Sequence, residues 1–311
     1  MGMVDLGLFG AVLLAGQGGP AVAAAPQPAP WCRAERIRAQ LFDRDTGRIL
    51  VVAHRGVHDV VPENSLAGIR RAIALGVAVV EIDVRRTADG QYVLMHDSTL
   101  ERTTDRTGKV RETRWDDLRT ATLRRDDGTP TGEPVPTLAE AFDVAKGHIW
   151  IMIDSKVDSP DEIAAIMRIA RERGVLGQTI LYDFRLEILE RYRSLAPEAK
   201  VMARTKDRAR IGEIIAVTRP DIFHIEPDYN SPAIRRRFDR AGIPTWLNVI
   251  GPIDARARVE GDAAAYRVQF SFQPDLVQTD RPAEVIAYLR GQGLHPNELD
   301  FDHCNQTEPA S

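Results

Sequence analysis

Cysteine is nearly absent from the 311-residue sequence: there are two, Cys32 and Cys304, near opposite ends. At most one intramolecular bridge can form, so no disulfide framework holds the fold together. An excess of one charge is missing as well. The formal net charge is -4 and no charge run is long enough to form a tail, so no basic field draws in nucleic acid. No apolar stretch approaches the length a bilayer span needs. No short-period repeat and no internal domain linker stand out. What remains, 43% hydrophobic and 28% charged residues, is globular in composition. The length admits one or two domains, and one α/β barrel of ordinary size would use nearly all of it.

The chain opens like a targeting segment. Leu6 to Ala15 is apolar, and Ala21-Val22-Ala23 or Ala23-Ala24-Ala25 offers a small-residue cleavage site, although Asp5 and no Lys or Arg precede the apolar run. Residues 1–25 are therefore expected to be a signal peptide, and the mature protein periplasmic or secreted. Residues 26–48 read as a spacer and lead-in, with Pro26 to Pro30 unstructured.

The densest chemistry lies between Val51 and Val110. His54 and His96 each end an apolar run, and between them stands Glu81-Ile82-Asp83 on a strand. Alternation puts Glu81 and Asp83 on one side of that strand, where two like charges are costly to bury. A hard cation bound by carboxylate oxygens is a common remedy. A metal site flanked by two acid–base groups suits phosphate ester chemistry.

Six motifs in order make the stretch specific: His54-Arg55-Gly56, Pro62-Glu63-Asn64-Ser65, Glu81-Ile82-Asp83, Thr87-Ala88-Asp89-Gly90, His96-Asp97 and Arg102-Thr103-Thr104. Together they resemble the glycerophosphodiester phosphodiesterase family, and the likeness thins toward Pro282. The resemblance implies Glu81, Asp83 and Asp154 as ligands of one divalent cation, Mg2+ or Ca2+. It implies His54 and His96 as the catalytic acid–base pair, and Arg55, Glu63, Asn64, Lys156 and Trp246 as substrate-binding residues. The third acid of the family lies in E-x-K, whereas this chain has Asp154-Ser155-Lys156, one methylene shorter. Some of these residues also have plainer roles open to them. Asn64 suits a helix cap, Trp246 suits core packing, and Arg55 suits a salt bridge to Glu63. Glu226 is either a supplementary ligand or a partner of Arg55 or Lys156. In Thr245-Trp246-Leu247-Asn248 the asparagine comes one residue earlier than in the family, so Asn248 receives no role. His58, His148, His224, His295 and His303 match nothing and are expected to be structural or exposed.

The pattern of elements agrees with a TIM (β/α)8 barrel. Strands are expected at 49–53, 77–83, 149–153, 179–182, 200–203, 222–225, 244–248 and 276–279, alternating with helices. Too few residues separate Asp83 from His96 for a helical crossover, and Ala88-Asp89-Gly90 is a turn signal, so Gln91 to His96 is expected to return antiparallel and bring His96 beside Asp83. Residues 99–136, with a short helix over 115–123, read as a long loop walling the substrate pocket. The barrel domain is expected over 49–293, followed by a tail, 294–311. In a closed barrel the first and last elements are neighbours, which makes a Cys32–Cys304 disulfide reasonable; two unpaired thiols are the alternative. The expected reaction is metal-dependent hydrolysis of a small glycerophosphodiester to an alcohol and sn-glycerol 3-phosphate, without nucleic acid or a membrane span. Two other readings stay open: a secreted phospholipase D-like enzyme acting on lipid headgroups, and a noncatalytic phosphodiester-binding barrel.

Overall fold

The computed structural model describes residues 30–42, 47–157, 159–260 and 264–296. The expected signal peptide, Cys304, His303 and nearly all of the expected tail lie outside them. The strands, in chain order, are β1 (Leu50–Ala53), β2 (Val79–Arg86), β3 (Tyr92–Leu94), β4 (Thr122–Arg124), β5 (Pro130–Pro134), β6 (Trp150–Ser155), β7 (Thr179–Asp183), β8 (Lys200–Arg204), β9 (Ile222–Ile225), β10 (Thr245–Asn248) and β11 (Leu276–Thr279). Eight of them, β1, β2 and β6 to β11, pair in parallel, and β1 bonds both β2 and β11, which closes the sheet. The expected TIM barrel is therefore present.

Strand alternation divides the interior into two zones. Leu50 and Val52, Val79, Trp150 and Met152, Ile180, Met202, Ile222, Trp246 and Leu276 point inward and fill the barrel as one buried cluster. Two residues further along, the same face carries His54, Glu81 and Asp83, Asp154, Tyr182, Arg204, His224, Asn248 and Gln278. An apolar floor beneath a polar mouth is thus written into each strand. The intervening residues, such as Val51, Val80, Ile151 and Leu181, pack outward against the helices.

Two features depart from the sequence expectations, and a third meets one. The lead-in is not all spacer: Pro30–Phe42 is a helix whose Ala34, Ile37 and Leu41 join the inner cluster. Trp150 Nε1 donates to the Ala34 carbonyl at 2.8 Å, fixing this helix, the plug helix, beneath the strands. Residues 99–136 are not a loop but an ordered insertion. It has a β4–β5 hairpin, a 3-10 turn at Val110–Glu112, an α-helix that stops at Leu118 (Trp115–Leu118), and a buried cluster in which Leu100, Val110, Leu118, Leu123 and Val135 pack with Met95. Finally, β2 runs on to Arg86 and pairs antiparallel with β3, a return made at Gly90 with φ of 98°. That return places Met95 N 3.1 Å from the Asp83 carbonyl, so His96 does come back to the acid pair. Among the described residues no helix is long and apolar enough to cross a membrane.

Candidate active site at the barrel mouth

The carboxylates of Glu81, Asp83 and Asp154 converge, with ligand oxygens within 4.8 Å of one another. β2 and β6 run in register and put Asp83 beside Asp154. Glu81 and Asp83 are buried. Burial, then the charges of Asp83 and Asp154, raise the Glu81 pKa well above the usual carboxylate range. Asp83 goes the other way. Burial opposes its ionisation, but Lys156, His96, Arg55 and Asn64 together hold its pKa below the usual value. Lys156 Nζ sits 3.0 Å from Asp83 Oδ1 and 2.6 Å from Asp154 Oδ2. Three converging acids, two of them buried and one resisting ionisation, have the donor chemistry and charge deficit that suit a divalent cation.

The two histidines flank this cluster in matching ways. His54 Nδ1 lies 2.6 Å from Asp280 Oδ1, and its Nε2 faces Glu81 Oε2 at 4.0 Å. His96 Nδ1 lies 2.7 Å from Asp97 Oδ1. In each case an aspartate bonded to Nδ1 orients the ring and leaves Nε2 for proton exchange. Asp97 is held in turn by Arg102, at 2.7 Å and 3.1 Å, which keeps its carboxyl well below the usual range. The His96 carbonyl accepts from Arg85 Nε and Nη2 at 2.9 Å and 2.6 Å.

The turn after β1 is shaped by two positive φ values, 53° at Arg55 and 83° at Gly56. A Cβ on Gly56 would sit 3.1 Å from the Gly68 carbonyl carbon, so only glycine lets the turn lie against helix Leu66–Leu75. The Arg55 N–H then donates to Glu81 Oε2 at 2.8 Å, while its side chain approaches Glu63 at 3.2 Å and Asp83 at 3.4 Å.

Three expected substrate contacts have partners within the protein. Glu63 is buried with both oxygens engaged by Arg102 (2.7 Å and 2.8 Å) and Arg55, and so positions the two arginines. Asn64 is buried too. Its Nδ2 donates to Asp83 Oδ2 at 2.8 Å, and its Oδ1 accepts from the Asp83 N–H at 3.0 Å. The helix cap is instead Ser65, whose side chain accepts from the Gly68 N–H. Trp246 is 0% exposed within the barrel floor and donates from Nε1 to Asn248 Oδ1 and Gln278 Oε1, so its ring walls no pocket. Glu226 pairs with Arg204 at 2.6 Å, not with Arg55 or Lys156.

Asp280 and Arg102 were within reach of sequence reasoning, one at a strand end and the other in the Arg-Thr-Thr motif, but neither had been given a role. His58, expected to be a bystander, joins Asp280 and Asp126 in the wall of a cavity of about 520 Å³ beside His54. Asp254 anchors this side, since its buried carboxylate accepts from Tyr266 OH, Thr279 Oγ1 and the Asp280 N–H.

Residues 54–219 match the model of the glycerophosphoryl diester phosphodiesterase family. The chain belongs to that family. Human glycerophosphodiester phosphodiesterase 1 is 35% identical over 173 residues, covering 54% of this chain and 50% of that protein. The chain thus spans about half the length of this curated relative. A crystal structure of glycerophosphodiester phosphodiesterase from Agrobacterium tumefaciens is 27% identical with a TM-score of 0.64, covering 76% of this chain and 97% of that one. A glycerophosphoryl diester phosphodiesterase from Parabacteroides distasonis shares the fold with a TM-score of 0.74 at 24% identity, over 83% of this chain and 92% of that one.

Proposed function

We propose that the protein hydrolyses glycerophosphodiesters to an alcohol and sn-glycerol 3-phosphate at the barrel mouth. The observation that carries this reading is the pair of histidines, each bonded through Nδ1 to an aspartate, on either side of the three-carboxylate cluster. A phosphodiester-binding barrel without catalysis has no need of two histidines held in this way.

Glu81, Asp83 and Asp154 would hold the cation, which when bound supplies positive charge for the nonbridging phosphate oxygens. Ca2+ tolerates the shorter Asp154 more readily than Mg2+, because its coordination is the more flexible. Arg55 adds a planar cation for the phosphate, aimed by Glu63. One histidine takes the proton from the attacking hydroxyl at Nε2, and the other gives its Nε2 proton to the departing alkoxide. The attacking hydroxyl is either water or the neighbouring hydroxyl of the substrate glycerol; the latter gives a cyclic phosphate that water then opens. The cavity beside His54 mixes Arg125, Arg258 and Arg281 with Asp59, Asp126 and Glu284, a lining that suits a polar alcohol. The apolar stretch from Leu6 to Ala15 supports export, with N-terminal sequencing of the mature protein as its check.

The test of the chemistry is His96→Ala assayed on esters with good and poor leaving groups. Near-normal turnover of an aryl ester with loss on an alkyl ester makes His96 the acid. Equal loss on both removes it from that role.

A further inference from the structure

His54 depends on Asp280 for its orientation, yet Asp280 is fixed only at its backbone by Asp254. Its side chain is 34% exposed at the cavity edge. What restrains the carboxylate is on its far side. His58 Nε2 is buried, makes no hydrogen bond, and stands 3.5 Å from the same Oδ1 that His54 uses, an ion-pair approach. The opposite nitrogen of His58, Nδ1, lies 2.9 Å from Asp126 Oδ2. Asp126 stands in the turn between β4 and β5, where Arg125 N bonds the Thr129 carbonyl at 2.9 Å.

We propose that His58 is a positioning residue for the reaction: it pins the Asp280 carboxylate that orients His54, and Asp126 of the insertion pins His58. The chain Asp126–His58–Asp280–His54 thereby ties the insertion to one of the two catalytic histidines. It gives the β4–β5 hairpin a role beyond walling a pocket. The charge pattern agrees. Burial works against a proton on His58, but the hydrogen bond with Asp126 and the nearby charges of Asp126 and Asp280 outweigh it and raise its pKa to about 10. His58 is thus a fixed cation between two carboxylates, which a positioning role requires.

The inference rests on the proposed hydrolysis, and the experiment separates the two. Turnover of a glycerophosphodiester, kcat and KM apart, is measured for wild type, His58→Ala, Asp126→Asn, Asp280→Asn and the His58→Ala/Asp280→Asn pair. In 15N-labelled protein the His54 Nδ1 proton resonance is followed by NMR. His58→Ala is expected to lower kcat roughly tenfold, the scale of one lost, partly buried ion pair, with KM little changed. Its His54 resonance moves, and in the Asp280→Asn background it has no further effect. Asp126→Asn, at an exposed side chain, shows the same changes at smaller size. Unchanged kcat and an unmoved resonance in both variants, or full additivity with Asp280→Asn, would overturn the proposal. A wild type that hydrolyses no glycerophosphodiester would sink the parent reading instead, while the resonance shift alone would still decide the His58 contact.

Discussion

Replacing Glu81 by Gln should make the metal-free protein more stable, although it removes a group from the heart of the site. The Glu81 carboxylate is buried with oxygens of Asp83 and Asp154 within 4.8 Å. At an effective dielectric constant near 20, each such neighbour repels it by about 3 kcal/mol. Lys156, bonded to Asp83 and Asp154, offsets much of this. A net relief on the order of 1–3 kcal/mol follows. Glutamine keeps an oxygen for the Arg55 N–H, so the turn after β1 survives. For a chain of this size the relief corresponds to a rise in Tm of about 2–6 °C. The pH dependence has a definite sign. The folded state holds the Glu81 proton at pH values where the unfolded chain has lost it, so this contribution to stability falls as pH rises. The advantage of Glu81→Gln is therefore largest at neutral pH and shrinks as pH falls toward 4.5. Added divalent cation should reverse the order. Wild type gains about 2.7 kcal/mol at a hundredfold excess over Kd, and the variant gains far less. Thermal melts with chelator and with Mg2+ or Ca2+ measure both effects. A variant that melts lower than wild type without metal, or that gains as much from metal, would refute the reasoning.

Other sites give sharper single outcomes. Asn64→Ala leaves Asp83 without two of its hydrogen-bond partners and should lower stability by about 1–3 kcal/mol and weaken cation binding, as read by melts and isothermal titration. Gly56→Ala meets both a φ of 83° and the 3.1 Å approach to Gly68. It should lower stability by about 1–3 kcal/mol in chemical denaturation, and an unchanged midpoint would contradict the packing described. Ile37→Ala in the plug helix should cost about 2–5 kcal/mol without changing KM, because it empties the barrel floor far from the mouth. The His58 pKa, raised to about 10, sets a pH window. Its stabilising effect, taken as the Tm difference from His58→Gln, should be full below pH 6.5 and disappear as pH rises through 10.

Local pattern carried much of this structure. The paired acids of β2 and the return at Gly90 are short-range consequences of sequence, and both were legible. So was the barrel, because each strand is a run of apolar residues ending in a polar one. What escaped depends on residues distant in sequence. His54 and Asp280 are 226 positions apart, and nothing near either announces their bond. Asn64 looked equally suited to capping a helix; only the fold brings it to Asp83. Trp246 looked available to a ligand because its full burial is a product of barrel closure. The plug helix was a different kind of omission. Ala34, Ile37 and Leu41 have helical spacing, but the proline-rich stretch before them dominated the reading. The insertion looked like loop because its eight-residue core is assembled from short, scattered apolar positions.

The most direct test of the proposed hydrolysis is the release of sn-glycerol 3-phosphate from a panel of glycerophosphodiesters by metal-stripped protein, with Mg2+, Ca2+ or Mn2+ restored in turn. Release that depends on the added cation and is lost in Glu81→Ala is the predicted result, and the best substrate names the alcohol. Folded protein that releases nothing from the panel with any of the cations would contradict the reading and turn attention to lipid headgroup esters.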